Sequence, residues 1–389
     1  MQWHLHNTGQ SGGTPGVDIR APEAWEITTG DPNIVVAEFG GYMDTSHPDL
    51  VNNLVPGYDF VQPGSSPVYN YWWAGHSTWC AGLIAAQGNN GIGAAGVTWN
   101  CKVMPVRIWA DNAQGHVFLS EAERATAIRW AAANGADVMD NQWGHTSPKP
   151  VIQTALVDVT KVGGIGRNGK GCVAVFTSGN APNFWYPGRY PEVIAVGSTD
   201  HNDVQVSAIA YGPELDIVAP DWGMGELKVE GLWTTDVTGL PGGSAYPQWH
   251  PDPNILDYTT SDGATSIVSG VAALILSVEP NLTSDEVRHF LERSAKDLGT
   301  PGPDDYYGWG RVDARAALDM VLAKRADLNN DWKVDLRDFS LLAQSWKTDE
   351  SSGDIAPAKK RDGTVDIKDI VLMAEYWLRQ IPGIGAVVR

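Results

Sequence analysis

The sequence predicts an α/β fold, a central parallel sheet covered by helices on both faces, followed by a small all-α unit built twice. Three observations carry this expectation. From Ile34 to Lys324 short apolar runs alternate with helix-like segments, as strands buried on both faces require. The chain of 389 residues is 43% apolar and holds 43 glycines, which suits a sizeable core joined by many turns. After Ala323-Lys324-Arg325 the composition changes abruptly, and residues 327–378 repeat with a period of 31.

Strands are expected at Ile34 to Phe39, Lys102 to Ile108, Val138 to Asn141, Val173 to Thr177 and Val193 to Val196. Between them, Ser120 with Glu123 and Thr283 with Glu286 are capping boxes, each side chain satisfying an orphan backbone donor of a helix. Gly135 stands where a left-handed C-terminal cap is wanted. Asp236 to Asp257 is crowded with Pro, Gly and Asp, lacks periodicity and reads as a long surface loop.

A net charge of -19 and a pI near 4.7 disfavour nucleic acid and anionic membranes as partners and favour a cation such as Ca²⁺. Cys80, Cys101 and Cys172 spell no disulfide framework, and at least one thiol stays unpaired. No run of 18 apolar residues exists, so no transmembrane helix is expected, and Met1-Gln2-Trp3-His4 shows no signal peptide.

In the repeat, Asp331/Asp362, Val334/Val365, Asp335/Asp366, Asp338/Asp369 and Trp346/Trp377 fall in register. Asp327, Asn329, Asp331, Asp335 and Asp338 occupy positions 1, 3, 5, 9 and 12 of an EF-hand-type calcium loop, with the Lys333 carbonyl at position 7. The second copy offers Asp354, Asp362, Thr364, Asp366 and Asp369, with extra residues between Asp354 and Asp362. Trp332 takes the sixth position, where a glycine normally makes the sharp turn, whereas the second copy keeps Gly363. The helices that follow are short and apolar on one face. This unit resembles a dockerin domain, which implies an anchoring module whose Ca²⁺ loops hold paired helices for a cohesin-type partner.

Eight segments of residues 3–322 resemble the subtilisin-like serine protease (subtilase) family in the family's order. They are Trp3-His-Leu-His-Asn-Thr-Gly-Gln, Ile34-Val-Val-Ala, His47-Pro-Asp-Leu, Gly75-His-Ser-Thr, Gly88-Asn-Asn-Gly-Ile-Gly, Ser178-Gly-Asn, Gly270-Val-Ala-Ala-Leu and Tyr307-Gly-Trp-Gly-Arg-Val-Asp-Ala. The resemblance implies a subtilisin-like α/β fold over residues 1–323, a dockerin-like pair at 326–378 and a tail at 379–389. Such peptidases need a serine nucleophile, a histidine base, an aspartate to orient the imidazole and an asparagine for the oxyanion. Carried over by motif, the base is His76 and the oxyanion donor Asn180.

The other two catalytic positions hold the wrong residues. Counting back from Asp49 of His47-Pro-Asp-Leu puts Gly40 at the aspartate position, and counting back from Gly270-Val-Ala-Ala-Leu puts Asp262 at the nucleophile. Glu38 lies two residues before Gly40 on the same strand face, a gap of ~6.6 Å that one added methylene is not expected to close. Ser261 and Ser266 stand near the nucleophile position, and the substrate-side segment reads Asn141-Gln142-Trp143-Gly144. A family calcium site is kept, with Asp49, Asn90 and the carbonyls of Gly88, Ile92 and Ala94 at its positions. The expected function is therefore a catalytically impaired or inactive pseudoprotease that binds polypeptide and is anchored outside the cell through its dockerin-like module. The alternative is an active serine endopeptidase that uses a displaced serine with His76, and a His76–Asp262 acid/base or metal pair is a third reading. Cys80, one turn after His76, reads as a small buried hydrophobe.

Overall fold

The computed structural model describes residues 2–64, 75–112, 115–221, 231–238, 255–258, 263–347, 353–357 and 361–383. Its strands are β1 (Val35–Gly40), β2 (Tyr58–Asp59), β3 (Lys102–Arg107), β4 (Trp109–Asn112), β5 (Gly115–Phe118), β6 (Val138–Asn141), β7 (Val173–Thr177), β8 (Ile194–Thr199), β9 (Ile217–Pro220), β10 (Leu232–Thr235) and β11 (Ile255–Tyr258). The helices are α1 (Ala21–Trp25), α2 (His76–Ala85), α3 (Glu121–Ala133), α4 (Pro150–Thr160), α5 (Gly263–Val278), α6 (Ser284–Ser294), α7 (Ala314–Ala326), α8 (Leu336–Gln344) and α9 (Ile367–Glu375).

Seven strands form one sheet in the order β2-β3-β1-β6-β7-β8-β9, every pair parallel. The inner strands β6, β7 and β8 are buried at every residue, which is why they read as unbroken apolar runs. One apolar core, on the side of α2 and α5, joins Val36, Leu83, Val103 and Ile194 to Leu274. A second, on the opposite face, packs Phe39, Met104 and Phe176 against Ile128 of α3 and Leu156 of α4.

The expected strands are all present, with ends moved by a few residues, and both capping boxes form, at Ser120 with Glu123 and at Thr283 with Glu286. Gly135 follows α3 at φ +98°. The expected loop from Asp236 to Asp257 is corrected at its far end. Ile255 to Asp257 belong to β11, which pairs antiparallel with β10, Trp233 facing Asp257. At its near end Asp236 and Val237 are buried, and residues 239–254 lie outside the described residues.

The C-terminal repeat is built twice in detail. Asp335 and Asp366 cap α8 and α9 with the same capping box and nearly equal backbone angles, φ -145° and -140° with ψ -164° at both. Trp332 and Gly363 both take positive φ, +65° and +87°, and Lys347 and Leu378 both stand at +61°. The repeat packs onto the main body. Val334, Leu342, Val365, Met373 and Ile381 extend the core that contains α5 and α7. Arg325 at the end of α7 donates to the carbonyls of Val278 and Ile355 and lies 3.5 Å from the Glu279 carboxylate.

Candidate functional site

β1 and α2 bring two of the candidate catalytic positions, Gly40 and His76, together. His76 opens α2, half-buried, with its ring 6.0 Å from the rings of Trp79 and Trp109. The start of α2 is held by β10, where Thr235 Oγ1 donates to the Thr78 carbonyl at 2.7 Å and Thr234 Oγ1 to that of Trp79 at 2.8 Å. Trp79 is buried and donates from Nε1 to Asp236 Oδ1 at 2.9 Å.

Gly40 ends β1, and its missing side chain leaves a space that the structure fills. A Cβ on Gly40 would strike Ser77 Oγ and Glu38 Oε1 and come within 2.9 Å of Glu38 Oε2. The Glu38 carboxylate thus occupies the room that an aspartate at position 40 would need. The expectation that Glu38 falls short is therefore corrected: its side chain leans along the strand into the gap. Glu38 Oε, His76 ring nitrogen and Cys80 Sγ lie within 4.8 Å of one another, and Cys80 Sγ stands 3.6 Å from His76 Nδ1. Asp44, beyond the turn, is held by the amide of Thr238 at 2.9 Å and by its hydroxyl at 2.5 Å.

Asp140 was not singled out by sequence, although a lone carboxylate inside the apolar run Val138-Met-Asp-Asn is a visible signal. It sits beside Glu38 across the β1–β6 register, fully buried. Ser269 Oγ donates to its Oδ1 at 2.7 Å, while Ser266 Oγ at 3.0 Å and Gln142 Nε2 at 2.5 Å donate to Oδ2. Burial pushes the Asp140 carboxyl up to about 6, against the three donors and the charge of His76. Burial also raises Glu38 well above the ordinary range, Asp140 adding to the rise and the Ser77 hydroxyl opposing it. Glu38 Oε1 has no hydrogen-bond partner among the described residues.

Ser266, weighed above as a displaced nucleophile, is buried within α5 and committed to Asp140 and Gln142. Asp262 and Ser261 lie outside the described residues. Asn180 is exposed, its backbone bridged to Ile209. Between the segments 141–144 and 178–180 stands Trp185. A Cβ on Gly144 would come within 2.9 Å of its Cβ, and one on Gly179 would run into its ring. The indole packs against both segments.

The segment expected to hold calcium curls around Asp49. Asn90 Nδ2 donates to Asp49 Oδ1 at 2.7 Å, the Ala94 amide donates to Oδ2 at 2.9 Å, and Asn90 Oδ1 accepts from the Ile92 amide at 2.9 Å. Gly91 and Gly93 turn the chain at positive φ, which lets Gly88 to Ala94 curl over one carboxylate. A buried carboxylate with the side-chain amide of Asn90 beside it supplies oxygen ligands of the kind a hard cation takes, which suits Ca²⁺. Gln2, not weighed in the sequence, ties the N-terminal segment to this loop, donating to the Ala95 carbonyl at 2.7 Å and accepting from its amide at 2.9 Å.

Both C-terminal loops converge on two buried aspartates each. In the first, Asp327 accepts from the amides of Asp331 and Trp332 at 3.0 Å, and Asp338 from those of Asn329 at 3.0 Å and Asp335 at 2.8 Å. In the second, Asp354 accepts from Gly363 at 2.8 Å, and Asp369 from Ile355, Ala356 and Asp366 at 2.7 to 2.8 Å. Gly363 lies nine residues after Asp354 where Trp332 lies five after Asp327, so the longer loop still closes Gly363 onto its first aspartate as Trp332 does, while the Asp362 amide turns to the Ala356 carbonyl. Asp354 Oδ1 is buried without a hydrogen-bond partner among the described residues, an acceptor that a bound cation would satisfy. Asn329, Asp331, Lys333, Asp335, Asp362, Thr364 and Asp366 line the exposed sides of the two loops.

Comparison with known proteins agrees with the fold. The model of the Subtilase family matches residues 33–310. A calcium-dependent protease of Trichormus variabilis is 30% identical over 361 residues, covering 82% of this chain and 51% of that protein. Thermitase of Thermoactinomyces vulgaris is 31% identical over 303 residues, covering 77% of this chain and 93% of that protein. A solved structure of a protease from Pseudoalteromonas arctica PAMC 21717 superposes with a TM-score of 0.63 at 27% identity, covering 82% of this chain and 97% of that one. The chain spans about half the length of the calcium-dependent proteases it matches. With its parallel sheet, its helix opened by His76 and this family match, the chain belongs to the subtilase family of serine peptidases and their homologues.

Proposed function

We propose that the chain is a catalytically impaired subtilase homologue, a pseudoprotease that binds polypeptide in its cleft outside the cell. The observation that carries this reading is the commitment of the α5 serines. Ser266 and Ser269 both donate to buried Asp140, so neither offers its hydroxyl to His76. Sequence register puts a carboxylate, Asp262, at the nucleophile. Loss of the nucleophile costs ~10⁶ in turnover, a figure measured on subtilisin, a member of this family.

A dockerin-like C-terminal unit anchors the domain in this proposal. Its ligands are Asp327, Asn329, Asp331, the Lys333 carbonyl, Asp335 and Asp338 for one Ca²⁺, and Asp354, Asp362, Thr364, Asp366 and Asp369 for another. Exposed Leu336, Phe339, Ile367, Val371 and Trp377 around the paired helices suit a cohesin-type partner. A third Ca²⁺ is held at Asp49 and Asn90 with the carbonyls of Gly88, Ile92 and Ala94, consistent with the name of the Trichormus relative.

An active endopeptidase is the second reading, and one observation favours it. The Glu38 carboxylate takes the space of the absent Gly40 side chain, beside His76. A fluorophosphonate probe followed by peptide mapping separates the two. We expect folded protein to stay unlabelled and peptide hydrolysis to equal that of His76→Ala, whereas a label on Ser261 with hydrolysis lost in His76→Ala establishes the active reading.

A further inference from the structure

We propose that Glu38, His76 and Cys80 form a binding site for Zn²⁺, a site that does not depend on whether the chain hydrolyses peptides. His76 and Cys80 are four residues apart on α2 and share one face of the helix. Their Nδ1 and Sγ atoms stand 3.6 Å apart. Bonds of about 2.1 Å to nitrogen and about 2.3 Å to sulfur at a tetrahedral angle give a nitrogen–sulfur edge of about 3.6 Å. All three donors already lie within 4.8 Å of one another, so small side-chain adjustments close the set on one ion.

The second observation is the state of Glu38. Its side chain is 1% exposed, and Oε1 has no hydrogen-bond partner among the described residues. A buried carboxylate oxygen without a donor is costly, and a divalent cation supplies the missing partner. Gly40 is what lets Glu38 reach α2, because any side chain there would displace the carboxylate. Asp140 stands nearby with both oxygens engaged by Ser266, Ser269 and Gln142, so it contributes negative field without being a ligand.

Ligand chemistry selects the metal. One imidazole, one thiol and one carboxylate suit a borderline cation, whereas Ca²⁺ and Mg²⁺ take oxygen alone. Three protein ligands leave a further coordination position, as in zinc sites that bind water or an exogenous ligand. Binding converts the Cys80 thiol to a thiolate and takes Glu38 in its carboxylate form, any proton either group carries passing to buffer, with no change of oxidation state.

The full chain, first saturated with Ca²⁺ to fill its oxygen-lined loops, is titrated with Zn²⁺ by calorimetry and with Co²⁺ by absorption. The expected result is one equivalent of Zn²⁺ bound with proton release, and a thiolate-to-Co²⁺ charge-transfer band. Cys80→Ser removes the band, and Glu38→Gln and His76→Ala each weaken Zn²⁺ binding at least ~10-fold. Circular dichroism checks that each variant is folded, and Cys80→Ser, which replaces only sulfur by oxygen, is the variant least able to disturb the fold. Absence of the band in folded wild type, a band unchanged in Cys80→Ser, or Zn²⁺ affinity unchanged in folded Glu38→Gln overturns the site.

Discussion

At Gly40 the loss of one side chain and the reach of another are a single event. Restoring the carboxylate as Gly40→Asp puts its Cβ against Ser77 Oγ and Glu38 Oε1, so the repair adds atoms to occupied space and a second acid to a buried site. Overpacking of this kind costs ~1–3 kcal/mol. We expect Gly40→Asp to lower the melting temperature and the added change Glu38→Ala to recover most of the loss, a coupling read from a double-mutant cycle by thermal denaturation. Equal losses with and without Glu38→Ala would show that the two side chains do not share the space. Asp140, whose carboxyl rises from an ordinary 3.8 to about 6 on burial, gives a pH signature. The folded protein binds this proton more tightly than the unfolded chain, so the contribution is full below pH 4 and is lost as pH rises to 6. The shift corresponds to roughly 3 kcal/mol. Asp140→Asn should remove that fall, and the difference between wild-type and variant stability from pH 4 to 6 measures it; a difference independent of pH would contradict the shift. Sequence counting found Gly40 and His76 because each sits in a motif. It misjudged Glu38 because distance was counted along the strand, while the carboxylate leans into a gap that only the packed structure reveals.

Elements were legible wherever their signals are local. β6 and β7 have the expected ends because apolar runs bounded by Asp, Gly and Asn announce both termini, and α3 and α6 start at their capping boxes. The β10–β11 ribbon was not legible, since Leu232–Thr235 and Ile255–Tyr258 meet across a long Pro- and Gly-rich stretch and neither run is long enough to stand out. β9 was missed for a related reason: Ile217–Pro220 is four residues long and ends in a proline, which the sheet accepts here at its edge. The repeat of period 31 carried its own proof, because matched residues recur in matched backbone states. Trp332 shows the limit of reading a loop by composition. The turn demands positive φ whatever residue stands there, and Trp332 meets it while its ring packs 5.1 Å from Lys324 Nζ and 5.8 Å from His289. Tertiary contacts around the indole offset a backbone state that glycine would take freely.

Seen whole, the C-terminal repeat is joined to the subtilase body through a shared apolar core. Beside Arg325, Arg361 pairs with Glu279 at 3.0 Å and Tyr376 donates to Asp319 at 3.2 Å. In the proposed reading, calcium in its loops therefore stabilises more than the loops. A ligand at about a hundred times its Kd adds about 2.7 kcal/mol to the folded state. Calorimetric melting should show one transition in Ca²⁺ that moves down by several degrees on chelation, with no separate early peak. Two transitions, of which only the smaller answers to chelator, would mean that the repeat folds and melts alone. The join also has a mechanical side. A pull on the C-terminal unit travels through α7 and the Arg325 guanidinium to the Val278 carbonyl at the end of α5. That helix begins at Gly263, one residue after the position that sequence register assigns to the nucleophile, so tension on the C-terminal unit is carried along α5 toward that position.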